Sequence, residues 1–170
     1  TIPELSLVVL MGVSGSGKST FARQLFRATE VVSSDTCRGL VSDDENNQAA
    51  SADAFALMHF IIRKRLAAGR LTVVDATNVQ AEPRRALVAL AREFHVLPVM
   101  IVLQVPESLA QERNRTRADR QFGAHVVRNQ EINLRRSLRG LEREGFRQVH
   151  LLREPEALAA VTISRQPLWS

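Results

Sequence analysis

Residues 5–11 read LSLVVLM, and GVSGSGKS follows at once as Gly12–Ser19. The pair matches an apolar strand running into G-x-x-x-x-G-K-[ST] and then an amphipathic helix. An almost continuous apolar run of this length suits a strand covered on both faces, which calls for a parallel sheet with helices above and below. Glycines let the loop curl so that successive N–H groups point inward, and the helix starting near Lys18 adds its positive dipole end. Such a cradle fits the phosphates of a nucleoside triphosphate. Its expected contacts are Gly12, Ser14, Gly15, Ser16, Gly17, Lys18, Ser19 and Thr20. Lys18 reaches the β and γ phosphates, and the Ser19 hydroxyl ligates Mg²⁺.

The rest of the chain repeats the strand–helix alternation. Strands are predicted at 5–11, 30–34, 71–75, 96–105 and 148–152, with helices at 18–28, 51–68, 80–94, 107–120, 124–144 and 155–161. Gly69 reads as a helix stop. The 170 residues make one α/β domain, a P-loop kinase fold of about five parallel strands with helices on both faces. No apolar run approaches the roughly 20 residues of a membrane span. With a single cysteine, Cys37, there is no internal disulfide and no cysteine-cluster metal site, so a cytoplasmic address is expected. The start at Thr1 and the abrupt QPLWS end point to a domain cut from a longer chain. A formal charge of +5 favours polyanionic partners. Basic residues are nearly all Arg, with Lys only at 18 and 64.

Other polar residues fall where the sheet's carboxyl edge should lie. Asp35 follows the second predicted strand and Arg38 stands three residues on. Asp35 could accept a proton from an attacking hydroxyl while Arg38 holds an anionic part of the acceptor; equally, Asp35 could cap the next helix with Arg38 as its solvated partner. Asp75 ends the third strand in LTVVDATN, in the usual place of a second acidic residue near Mg²⁺ and its waters. Thr77 and Asn78 either bond a ligand or shape the turn. In QERNRTRADR, at 111–120, helical spacing puts Arg113, Arg117 and Arg120 within one arc, and Arg115 away from it. Three arginines on one face repel mildly until an anion arrives, so a closing lid is the preferred reading. Glu112 and Asp119 offer the alternative of a neutralised surface.

With these segments assembled, residues from about 5 to 153 resemble the polynucleotide 5′-kinase domain of bacterial polynucleotide kinase–phosphatases, end-healing enzymes of RNA repair. The segments that carry the likeness are GVSGSGKSTFAR, SSDTCRGLVSDDENNQ, LTVVDATNVQ, QERNRTRADR and EREGFR. The resemblance implies transfer of the γ-phosphate of ATP or another nucleoside triphosphate to the 5′-OH of RNA or DNA, with Mg²⁺. It implies Asp35 as general base, Arg38 on the phosphate 3′ to the terminal nucleotide, and Arg113 and Arg117 clamping the donor. Arg120 would lie near the donor base, and Asp75 would act on the metal through water. Asn78 is a candidate acceptor contact. Phosphatase and ligase-like domains accompany such kinases in longer chains.

Two other functions stay open on the sequence: a kinase for a small alcohol such as a sugar or nucleoside, and a nucleotide-operated switch. Against a GTPase switch, no [NT]-K-x-D motif occurs. His59, His95, His125 and His150 lack ligand spacing, Cys37 reads as a packing residue, and DDENN at 43–47 reads as a solvated loop capping the next helix.

Overall fold

The computed structural model of the chain describes residues 1–116 and 124–167. In chain order its elements are β1 (Ile2–Pro3), β2 (Ser6–Met11), α1 (Lys18–Leu25), β3 (Val31–Ser33), α2 (Ser34–Ser42), α3 (Ser51–Ala67), β4 (Thr72–Asp75) and α4 (Ala81–Glu93). There follow β5 (Leu97–Leu103), α5 (Glu107–Thr116), α6 (Ala124–Ser137), α7 (Leu141–Glu144), β6 (Gln148–Leu152), α8 (Pro155–Ala160) and β7 (Arg165–Gln166).

All six residues of β2 are buried because it is the middle strand of five, in the parallel order β3-β4-β2-β5-β6. Val8 lies between Val73 of β4 and Val99 of β5. Side chains alternate across a strand, so β2 feeds two cores. Leu7, Val9 and Met11 pack with Met58 and Ile62 of α3, Leu87 of α4 and Leu134 of α6. Val8 and Leu10 pack on the opposite face with Phe21 of α1 and Phe26. This is the α/β P-loop fold expected from the alternation, and its carboxyl edge gathers the loops after β2, β3 and β4.

Several boundaries differ from the sequence expectation. The second strand stops at Ser33, and Asp35 sits in the first turn of α2, a helix the patterning did not reveal. The cap of that helix is Ser33, whose Oγ accepts from the Thr36 N–H at 3.3 Å, and not Asp35. Gly39, Thr36 and Ser42 make α2 a poor helix former, so tertiary packing holds it, including the buried thiol of Cys37 in the core beside α3. The helix expected over 18–28 ends at Leu25 because Phe26 turns extended and enters the core. The helix expected over 124–144 breaks between Ser137 and Leu141, around Gly140. Gly69 ends α3 at φ +69°, as its sequence position predicts. Unforeseen is a small parallel pair, β1 with β7, joined to the main body by Arg165, whose guanidinium donates to both carboxylate oxygens of Glu30 at 2.7 Å. No helix among the described residues is long and apolar enough to cross a membrane.

Candidate active site

The loop after β2 follows from glycine chemistry at two points. Gly15 and Gly17 take φ of +85° and +96°, a region that L side chains rarely adopt. At Gly15 a methyl group would also overlap the carbonyl oxygen of Ala110, because α5 lies directly against the loop. Gly17 then starts α1, whose first turn carries no acidic residue and presents its N–H groups to the cavity. Lys18 is 9% exposed and folds back along the loop, donating to the Val13 carbonyl at 3.2 Å.

β4 delivers the second polar group. Asp75 is its last residue, buried, and its Oδ2 accepts from the Ser19 hydroxyl at 2.8 Å. Two hard oxygen donors thus meet at the foot of α1, the set that suits Mg²⁺ alongside phosphate oxygens. Among the described residues no group of three or more His, Cys, Asp or Glu side chains gathers to hold a metal by itself. A Mg²⁺ here would therefore take most of its ligands from phosphate and water.

The third wall comes from α2 and α3. Asp35 and Arg38 lie one turn apart, with Oδ1 and Nη1 2.7 Å from each other. Arg38 also donates through Nε to Ser51 at the start of α3, at 3.1 Å. Burial pulls the guanidinium below its ordinary pKa, so it is a partly desolvated cation that gains from an added anion. Both line one cavity of about 180 Å³ with Lys18, Ser19 and Asp75. The structure thus brings Ser14, Gly15, Gly17, Lys18, Ser19, Asp35, Arg38 and Asp75 together. Gly12 and Ser16 are buried outside the cavity lining, and Thr20 is exposed on the first turn of α1.

Asn78, the candidate acceptor contact, lies outside the lining of that cavity. It takes φ +52°, and its buried amide donates to Leu10 O at 2.7 Å and Ala76 O at 3.3 Å. These bonds fit the turn-shaping one of its two sequence readings. Its own carbonyl in turn accepts from buried Arg84, at 3.0 Å, which also pairs with Glu144.

From α5, the start of the expected lid, Arg113 donates through Nη1 to Gly15 O at 3.1 Å. Arg117 and Arg120 lie outside the described residues. Two partners of the loop went unrecognised in the sequence. Asn114, 3% exposed, donates to Ser14 O at 2.8 Å, and Gln130 of α6 accepts from Ser14 N–H at 2.8 Å. The available signal was phase: Gln130 and Glu131 interrupt the apolar stripe of Val127 and Leu134, and Asn114 adjoins Arg113.

A search of the curated proteins finds no match. Solved structures share the fold at low identity. A gluconokinase from Sinorhizobium meliloti 1021 is 21% identical over 92% of this chain and 87% of its own, with a TM-score of 0.60. A chain of the Pnkp1/Rnl/Hen1 RNA repair complex is 22% identical over 81% of this chain, which spans 46% of that one, with a TM-score of 0.67. Chaetomium thermophilum Kti12, in complex with ADP-AlF3, is 19% identical over 91% and 94%, with a TM-score of 0.68. Residues 7–143, from the second residue of β2 through most of α7, match the AAA domain family model, and the chain belongs to that family as a P-loop kinase domain.

Proposed function

We propose that the chain is a polynucleotide 5′-hydroxyl kinase, moving the γ-phosphate of ATP or another nucleoside triphosphate to the 5′-OH of RNA or DNA. The observation that carries this reading is that Asp35 shares one cavity with Lys18 and Ser19. A carboxylate facing a phosphate cradle gives an incoming alcohol a place to lose its proton.

In the reaction the acceptor oxygen bonds to the γ-phosphorus, the bond from phosphorus to the β–γ bridging oxygen breaks, and ADP leaves with that electron pair. Asp35 takes the hydroxyl proton, late in a loose transition state, so its position matters more than its basicity. Lys18 and the loop N–H groups hold charge on the transferring group. Arg113, already against the loop, clamps the donor phosphates together with Arg117, and Arg120 serves the donor base. Ser19, and Asp75 through water, would hold Mg²⁺, which would supply neutralisation of phosphate charge.

Arg38 favours a polynucleotide over a neutral alcohol, because a half-desolvated guanidinium beside the base suits an acceptor that carries its own phosphate. The net charge of +5 points the same way. The RNA repair complex among the structural neighbours fits this acceptor. A second reading, a kinase for a small alcohol, draws on the modest cavity of about 180 Å³. Incubation with γ-labelled ATP, Mg²⁺ and either 5′-OH oligonucleotides or sugars and nucleosides separates the two. Label on RNA or DNA 5′ ends is the expected result; label on small alcohols alone rejects the polynucleotide reading.

A further inference from the structure

Gln130 is absent from the roles assigned above, yet its side chain enters the reaction cavity beside Ser14 and Lys18. Its contact with Ser14 fixes the carboxamide's orientation by chemistry alone. A peptide N–H can only donate, so the group 2.8 Å from Ser14 N must be the amide oxygen. Nε2 is then not the group on Ser14 N–H, and its two hydrogens have no hydrogen-bond partner among the described residues. An amide anchored through its acceptor is left with two N–H donors to offer.

The place where those donors stand identifies what they meet. Ser14 is the third residue of the loop, and Lys18, the residue that serves the β and γ phosphates, folds against Val13, next to Ser14. Arg113 approaches the same loop one residue further on, at Gly15. The Ser14 end of the loop is therefore the γ-phosphate end, flanked by Lys18 and Gln130, while Ser19 and Asp75 serve the metal side. Resting on the phosphotransfer reading, we infer that Gln130 is a catalytic residue whose Nε2 donates to an oxygen of the γ-phosphoryl group, with Oε1 held on Ser14 N–H as its pivot. Such a donor distinguishes a triphosphate from a diphosphate. It also strengthens as charge builds on the equatorial oxygens during transfer, the condition under which a preorganised donor accelerates a reaction.

Two substitutions divide the roles of the two amide atoms. Gln130→Glu keeps an oxygen able to accept from Ser14 but replaces both donors with negative charge; Gln130→Ala removes tether and donors alike. Calorimetric titration of the whole chain with Mg²⁺–ATP and Mg²⁺–ADP reads the donor role without any acceptor present. The expected result for Gln130→Glu is a loss of ATP affinity of about 10–100-fold, with ADP affinity little changed. The accompanying fall in kcat for phosphoryl transfer is about 10²–10³-fold. Gln130→Ala should lose less ATP affinity than Gln130→Glu, since it removes the donor without adding repulsion. If Gln130 only braces the loop, Gln130→Glu behaves as the parent while Gln130→Ala loses ATP and ADP equally, and either observation overturns the assignment. A parent protein that phosphorylates no acceptor would reject the kinase reading, yet the ATP–ADP difference would still judge Gln130.

Discussion

The two sides of the cavity are built differently. On the donor side, loop main chain bonds to buried or half-buried side chains from two other helices: Asn114 to Ser14 O, Gln130 to Ser14 N, Arg113 to Gly15 O. On the proposed acceptor side, Asp35 and Arg38 share a one-turn ion pair, and Arg38 also bonds a hydroxyl of α3. The loop carbonyls of Ser14 and Gly15 are bonded before anything binds, which favours a cradle set in advance. An acceptor must instead draw Arg38 and Asp35 partly apart, because both cannot serve each other and the substrate fully. On the proposed function, the difference would assign rigidity to the half that meets a constant triphosphate and adjustability to the half that meets a variable alcohol.

Breaking the acceptor side should leave donor binding alone. Asp35→Asn removes the proton acceptor, so kcat should fall about 10²–10⁴-fold while ATP affinity measured by calorimetry stays within about threefold. Loss of ATP binding in step with kcat would show that the two sides are not separate. Breaking the donor side should do the reverse. Gly15→Ala forces a methyl group toward the Ala110 carbonyl at φ +85°, a strain on the order of 1–3 kcal/mol. Its expected signature is about a 10–100-fold loss of ATP affinity, read by titration. Unchanged affinity would mean that α5 yields readily and the cradle is not set in advance.

Arg38→Ala sharpens the contrast on the acceptor side. Removal of a charge-assisted contact should raise the acceptor KM by about 10–100-fold, with donor KM kept. An equal rise for both substrates would move Arg38 to the donor. The smallest effect is a control on the fold itself. The Arg165 guanidinium holds the Glu30 carboxyl below its usual range, against the opposing pull of burial. The stability it contributes is present above the unfolded-state pKa, about 4.3, and drains away as pH falls through the folded one. Glu30→Gln should therefore cost about 1–2 kcal/mol at neutral pH, discounted for the partial exposure of Arg165, and flatten the acid side of a Tm–pH curve. A curve that keeps its acid slope would place the titration elsewhere.

How much of this was legible in the sequence depends on whether a residue's role is local. The loop, its strand and Asp75 were readable because phosphate cradles and buried central strands impose fixed local patterns. α2 was not, since Gly39 and the β-branched and hydroxyl residues around it lower helix propensity and only packing stabilises it. Asn78 was ambiguous because an amide in a turn serves a ligand and a main-chain carbonyl equally well; the register of β2 against β4 decided for Leu10 O. Asn114 and Gln130 meet the loop across about a hundred residues of chain, a relation that no local spacing records.

Cys37 offers an intrinsic clock for one of these two sides. It is the chain's one thiol, 1% exposed, on α2 between Asp35 and Arg38, and burial raises its pKa further from reactivity. A thiol reagent can reach it only when α2 opens from the core beside α3, so the rate of labelling would report how often the wall that carries Asp35 and Arg38 opens.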